Sequence, residues 1–375
     1  MRVLVVATPL TGHLAPLLPL AHALWDSGHE VLLAAGGDAL PAGAGPGSPT
    51  HPLPFIDIAR NVRIGRLAAR SLVTHPAAAR AELAGRGSEA GLRSLFGPVN
   101  EELTDTLVTV AEQWRPDVVV HEPLAVAGAL AAARHGVPAV LHENGLHDGA
   151  AAFGAVLDSK AVARARHRHS VHEVPAPAVT LTIAPASVVG LRDGLPVRPV
   201  PAGPPSGTEH VPGWLRAPSE RPRILVTRGG GPVRGSLQAS AVQAAAQLDC
   251  ELVLVRPAGR LARQLGPGVR TIGRLAPDGV LPGCAAVVHG GGAASVLTAL
   301  TAGVPQLALP GPGDRRHNAA LVEGRGAGLA GPVTGEALHR LVHDGELAAA
   351  AREVRAEIAA MPPPQARVDV VTALI

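Results

Sequence analysis

Short apolar runs and helix-patterned stretches alternate along most of this chain. Residues 3–7 (VLVVA) form a continuous, β-branched-rich run, the pattern of a strand buried on both faces. Leucines at 14, 17, 18, 20 and 24 predict a helix over 14–27, stopped by Gly28, and EVLLAA at 30–35 predicts the next strand. The turn of this βαβ unit holds only Gly12, so it lacks the G-x-G-x-x-G spacing of a dinucleotide site. Residues 36–54 are rich in Gly and Pro and read as a loop, while 60–113 read as mostly helical. Pro116-Asp117 introduces a buried strand at 118–121, with Glu122-Pro123 at its end. A helix over 125–134 stops at Gly136, and a strand follows at 138–141. Such alternation predicts parallel sheets of the α/β class.

The proline-rich stretch 196–212 reads as a linker. A second α/β unit opens at 223 with RILVTRGGG, a strand and a glycine-rich loop, followed by a helix over 236–248 and strands over 251–256 and 269–275. Domains are expected at 1–205 and 221–360 with the linker at 206–220. After Pro362-Pro363-Pro364 ends a helical stretch, 361–375 is free to cross back to the first domain. The most informative stretch is 284–318. An apolar run at 285–288 leads into His289-Gly290-Gly291-Gly292, a helix over 293–302, a stop at 303–305, a strand at 306–309 and a loop at 310–314. Glycines at a helix start let backbone N–H groups approach an anion, and the helix dipole favours negative charge there. This predicts a phosphate seat at 290–295. A second polar loop, 314–318, lies one strand away, and ligands gather at the carboxyl ends of parallel strands, so both loops should face one cleft.

Composition narrows the function. A length of 375 residues suits two domains, and 47% hydrophobic residues fit a folded chain. Aromatics are only 2%, with no Tyr, so the cores must be built from Ala, Val and Leu. The net charge of +3 is arginine-driven, Lys160 being the only lysine, and no basic run is interleaved with aromatics; a nucleic-acid partner is not expected. Cys250 and Cys284 lack ligand spacing and read as reduced thiols of a cytoplasmic protein. The run at 3–7 is too short for a secretory signal or a membrane span. His167, His169 and His172 are interleaved with arginines and read as a solvated helix face rather than a metal site.

Taken together, the opening MRVLVVATPLTGHLAPLLPLAHALWDSGHEV, the stretch VVHGGGAASVLTALTAGVPQLALP and the following GDRRHNAALV resemble the GT-B-fold glycosyltransferases that use nucleotide-diphosphate sugars. The similarity is strongest to the actinobacterial branch that attaches deoxysugars to polyketide aglycones, and it spans essentially the whole chain. It implies two Rossmann-like parallel-sheet domains facing across a cleft. It also implies that the C-terminal domain holds a TDP- or UDP-deoxysugar and the N-terminal domain a small hydrophobic, aromatic acceptor. By this resemblance Gly290, Gly291, Gly292, Ala293, Ala294 and Ser295 cap the diphosphate. Thr227, Arg228 and Gly229 lie near ribose and phosphate, and Arg274 and Leu275 belong to the segment bracketing the base. Asp314 contacts the sugar, with Asn318 one turn further along. Arg315 stands where many relatives have Gln, which suggests a different hydroxyl pattern, as in a deoxysugar.

Many relatives read H-H-G-G-x-G-T-T in the phosphate turn, whereas here Gly290 occupies the second, phosphate-contacting His position. Either His289 takes over that contact, the reading favoured here, or backbone amides and an arginine carry it. His13 stands where the family keeps its acceptor-deprotonating base; a helix-capping histidine is the alternative. An imidazole with an unperturbed pKa of about 6.5 suits proton abstraction near neutrality. Glu122, at the end of a neighbouring strand, is the expected carboxylate partner, with Glu143 and Asp148 as fallback acids. Gly12, Phe55, Phe96 and Glu143 are expected around the acceptor, either Phe being alternatively core. The resemblance implies an inverting transfer with no metal and no further cofactor, forming a C–O or a C–C bond. A homodimer stays open. Two other readings remain: a sugar-nucleotide epimerase of the same architecture, which the T-G-H loop argues against, and a silent helper of a partner glycosyltransferase, which His13 argues against.

Overall fold

A computed structural model of the protein describes residues 1–10, 12–36, 53–60, 62–201, 212–217, 219–228, 236–273 and 280–375. Gly229, Arg274, Leu275, most of the 36–54 loop and residues 206–211 and 218 of the expected linker lie outside them.

Among the described residues, thirteen strands form two all-parallel sheets. The first contains β1 (Arg2–Val6), β2 (Glu30–Ala35), β3 (Phe55–Asp57), β4 (Val118–His121), β5 (Ala139–His142), β6 (Val179–Thr182) and β7 (Leu195–Pro196). The second contains β8 (Arg223–Val226), β9 (Glu251–Val255), β10 (Val269–Ile272), β11 (Ala286–His289), β12 (Gln306–Ala308) and β13 (Gly328–Ala330). Strand order is β3-β2-β1-β4-β5-β6-β7 in one and β10-β9-β8-β11-β12-β13 in the other. Both orders are doubly wound: the winding reverses between β1 and β4, and again between β8 and β11. A crevice opens at the carboxyl ends of the strands at each reversal, where such sheets bind ligands.

The helices used below are α1 (Leu18–Asp26), α2 (Ile64–Thr74), α3 (Pro76–Leu83), α4 (Glu89–Trp114), α5 (Val126–His135), α6 (Gly149–Leu157), α7 (Lys160–Arg168), α8 (Ser236–Ala244), α9 (Ala293–Ala302), α10 (Arg315–Arg325), α11 (Gly335–His343), α12 (Gly345–Ala360) and α13 (Val368–Thr372). The first predicted helix does not start at 14. A 3-10 turn, Ala15–Leu17, precedes α1. Pro16 and Pro19 lack the N–H groups that a longer α-helix would use. Leu14, Leu17, Leu20 and Leu24 are nonetheless buried, as their spacing predicts. No described helix is long and apolar enough to cross a membrane.

The two sheets are tied by shared packing. Val368 and Val371 of α13 join Leu17, Leu20 and Leu24 in one apolar cluster, which also takes in Val296, Leu297 and Leu300 of α9 and Val354 and Ile358 of α12. Arg198 donates to the carbonyls of Ala359 (2.7 Å) and Met361 (3.1 Å), and Arg367 donates to Pro196 O (3.0 Å). The C-terminal segment therefore lies on the first sheet's helix layer. Across the cleft, the His147 and His317 rings stack at 4.3 Å, and Gly313 N–H donates to Glu82 O at 3.3 Å.

The arginine- and histidine-rich end of α7 docks on α4. Arg164 meets Glu101 in a bidentate pair (2.9 and 2.5 Å), and His169 Nε2 lies 2.6 Å from Asp105 Oδ1. His169 thus serves helix–helix attachment rather than a free solvated face. No group of three metal-ligating side chains exists among the described residues.

Ile358 is 1% exposed at the junction of α9, α12 and α13. Ile358→Ala is expected to cost about 2–5 kcal/mol, read as an earlier urea transition by tryptophan fluorescence. An unchanged transition would mean that this junction contributes little to stability.

Candidate active site

The loops after β1 and β4 carry the N-terminal half of the site. Val6 and His121 are paired in the β1–β4 register, so the residues that follow emerge side by side. Glu122 has no solvent exposure, yet its carboxylate is fully engaged. Thr8 N–H donates to Oε1 at 3.0 Å, and the Thr8 hydroxyl donates to the same oxygen. Leu124 N–H (2.8 Å) and Asn144 Nδ2 (3.0 Å) donate to Oε2. A buried carboxylate is costly unless it is paired and hydrogen-bonded; here it is both. His13 Nδ1 lies 3.3 Å from Glu122 Oε1, and about a fifth of the His13 side chain (21%) stays open. The 3-10 turn beside it has no side-chain cap, so the ring serves Glu122 and not the helix start.

The charges reinforce one another. Burial disfavours the His13 imidazolium, but the Glu122 charge and hydrogen bond, with a smaller contribution from Asp314 on the opposite wall, outweigh it and hold His13 above its ordinary 6.5. Burial pushes Glu122 up, but His13 and the bonds from Thr8 and Leu124 outweigh it and hold the carboxyl below its ordinary value. In the tautomer whose Nδ1–H points at Glu122, Nε2 is left free to accept a proton.

The C-terminal half is the turn from β11 into α9. His289 is fully buried. Its Nε2 pairs with Gln306 Oε1 (2.8 Å), and its Nδ1 accepts from Gly291 N–H (3.0 Å). Both ring nitrogens are therefore used inside the fold, and burial pushes the ring down to about 4, so it is neutral. The expectation that His289 contacts phosphate is corrected: His289 shapes the turn. Gly291 has φ +76°, and a methyl there would meet Leu309 O at 2.6 Å. Asn318, also fully buried, donates to Gly291 O (3.0 Å) and Asp314 Oδ2 (2.8 Å), tying the turn to the start of α10. Gly290 borders neither cavity described below. Gly292 caps α9 without a side-chain bond; Ser295 N–H turns back to Gly292 O (3.0 Å), which leaves the amides of Ala293 and Ala294 to face an anion.

These halves face one another across a cleft of about 570 Å³. Gly12, His13 and Asn144 line one side, and Gly292, Ala293, Ala294, Ser295, Asp314 and Arg315 the other. Leu92, Phe96 and Leu124 give it an apolar wall. A second cavity of about 210 Å³ opens beyond Ala294 and Ser295, bounded by Thr227, Val255, Ile272 and Val287. Arg228 lies at the end of β8 and borders neither cavity. Two acceptor expectations are corrected. Phe55 belongs to β3, paired opposite Leu33, and packs into the first sheet's core. Glu143 is 2% exposed and turned inward, accepting from Gly149 N–H (2.9 Å) and pairing with Arg192 at 3.3 Å. The residue that reaches the cleft is its neighbour Asn144, which the sequence reading missed. Its signal was its place just beyond β5, on the same sheet edge as His13 and Glu122.

Two doubly wound parallel sheets facing across a base-bearing cleft define a glycosyltransferase of the GT-B fold. The profiles of the erythromycin biosynthesis protein CIII-like N-terminal and C-terminal domains match residues 22–229 and 239–374, and the chain belongs to that family. It is 38% identical to the elloramycin glycosyltransferase ElmGT of Streptomyces olivaceus, over 97% of this chain and 95% of that protein. Among solved structures it is similar to the glycosyltransferase SnogD of Streptomyces nogalater (31% identity, TM-score 0.81, covering 100% and 99% of the two chains). It is also similar to SsfS6 of Streptomyces sp. SF2575, solved with thymidine diphosphate (27% identity, TM-score 0.80, covering 100% and 99%).

His13 must be neutral to accept a proton, so its raised pKa places the acid limb of kcat/KM above 6.5. Glu122→Gln removes the main force holding that pKa up. The limb should move to lower pH, with kcat falling by roughly 10²–10⁴. A limb that stays in place would remove His13 as the group responsible.

Proposed function

We propose that this enzyme transfers a deoxysugar, with inversion, from a TDP-sugar to a hydroxyl or an activated ring carbon of a small hydrophobic polyketide aglycone. The observation that carries the reading is His13, backed by the buried Glu122, facing the uncapped start of α9 across one cleft. For O-transfer, His13 Nε2 takes the acceptor proton while the oxygen bonds to the anomeric carbon. The bond from that carbon to the diphosphate oxygen breaks on the far side, and its electron pair leaves with TDP. The α9 amides, with Arg315 on the same wall, receive the growing charge, the role that fixed donors perform best in a dry site. We assign no step to a metal. For C-transfer the same base would take the phenol proton and an ortho carbon would attack the anomeric carbon as its bond to the diphosphate breaks; loss of that carbon's hydrogen as a proton and return of one to the oxygen restore the phenol.

The relatives support this assignment. Similar proteins include the 10-deoxymethynolide desosaminyltransferase of Streptomyces venezuelae and the TDP-daunosamine transferase DnrS of Streptomyces peucetius. The apolar wall of Leu92, Phe96 and Leu124 supports a second, hydrophobic substrate, which an epimerase would not need. The engaged His13–Glu122 pair argues against a silent helper. We place the enzyme in the cytoplasm, which the unpaired Cys250 and Cys284 support.

Transfer is tested by incubating the protein with TDP-deoxysugars and a panel of aglycones, following free TDP and product by chromatography and the anomeric configuration by NMR. No product from any pair, despite normal TDP binding, would contradict the reading. In it the 210 Å³ cavity takes the base, and its mostly apolar lining suits the thymine methyl. Burying one methyl contributes about 0.8 kcal/mol, so TDP is expected to bind roughly fourfold more tightly than dUDP by calorimetry. Equal affinities would place the base elsewhere. Gly291→Ala should weaken TDP binding by about tenfold or more, because a Cβ there is strained at that φ and the turn must shift; unchanged affinity would remove the turn from the donor site.

A further inference from the structure

Asn144 stands between the two members of the proton-transfer pair. Its Nδ2 lies 3.0 Å from Glu122 Oε2 and 3.2 Å from His13 Nδ1. The amide orientation is fixed by its surroundings: turned over, it would set a carbonyl oxygen against the Glu122 carboxylate. The –NH₂ group has two hydrogens. One is spent on Glu122, and the other is directed at the ring nitrogen that Glu122 also claims.

His13 Nδ1 therefore has two competing neighbours. If Nδ1 carries the proton, it donates to Glu122 Oε1 at 3.3 Å and leaves Nε2 as a base, but it then faces the Asn144 hydrogen donor. If Nε2 carries the proton, Nδ1 accepts from Asn144, and Nε2 can donate but cannot accept. Four other donor contacts already reach Glu122, from Thr8 (two), Leu124 and Asn144, so the carboxylate does not depend on His13 for satisfaction. The charged groups that act on His13 from the walls of the cleft are Glu122 and Asp314.

We propose that Asn144 is a positioning residue for the glycosyl-transfer reaction, aligning Glu122 while opposing the proton on His13 Nδ1, and so setting the basicity and tautomer of His13. The idea rests on His13 being the base, but its effect on His13 can be measured without turnover. Removing the Asn144 donor relieves the imidazolium of a repelling dipole and leaves the Glu122 charge less quenched. Both changes favour the protonated ring, so both raise its pKa. A negative charge at this position would raise it further.

The test uses ¹⁵N-histidine-labelled full-length protein, with the His13 signals assigned by their absence in His13→Gln. Asn144→Leu, close in volume, is expected to raise the His13 midpoint by about half a pH unit or more and to shift the neutral ring toward the Nδ1–H form. Asn144→Asp should raise the midpoint at least as far, and it serves alone if the Leu variant does not fold. The acid limb of kcat/KM should move up by the same interval. A midpoint that is unchanged or lowered in the folded variants overturns the inference, whatever happens to kcat. A raised midpoint without a matching shift of the limb supports the inference and overturns His13 as the base.

Discussion

The buried carboxylate of Glu122 is the constraint on which the N-terminal half of the site depends. A charge with no solvent contact survives only if the fold surrounds it with donors. The parallel sheet supplies them from neighbouring strand ends: Thr8 after β1, Leu124 after β4 and Asn144 after β5. His13 is then drawn to a fixed negative charge, which holds its ring and raises its affinity for a proton. The His13 ring is placed by the same contacts that make the carboxylate tolerable.

The opposite wall follows a different logic. It carries no buried ion pair at the turn. Neutral His289 and Asn318 instead hold the glycine turn from beneath through Gln306, Gly291 and Asp314, leaving the first amides of α9 open to the cleft. One wall thus presents an imidazole held by a buried carboxylate, and the other the uncapped start of a helix. Packing of α9, α12 and α13 into one apolar cluster holds the two walls in register, and the His147–His317 stack bridges them directly.

Much of this was legible in the sequence because it depends on local pattern. The strands at β1, β2, β4, β5, β8, β9, β10, β11 and β12, the α9 boundaries, and the placing of His13 and Glu122 at neighbouring strand ends follow from apolar runs and the rule for parallel sheets, whereas β3, β6, β7 and β13 do not. What was not legible depends on partners distant along the chain. The ring nitrogens of His289 are taken up by Gln306 and Gly291, and Glu143 is turned inward by Arg192; neither arrangement has a sequence signature. Phe55 sits in a three-residue strand, too short for a periodic signal. Asn144 was one polar residue in the run HENGLHDG, and only the side chains show that it, rather than Glu143, reaches the cleft.

The central claim is that acceptor and donor meet between His13 and the start of α9. A crystal structure with TDP and an aglycone bound tests it most directly. The account predicts the reacting hydroxyl, or the phenol oxygen next to the reacting carbon, within about 2.6–3.2 Å of His13 Nε2 and the diphosphate on the amides of Ala293 and Ala294. An aglycone seated away from His13, or a diphosphate bound to the His289 ring, would contradict it.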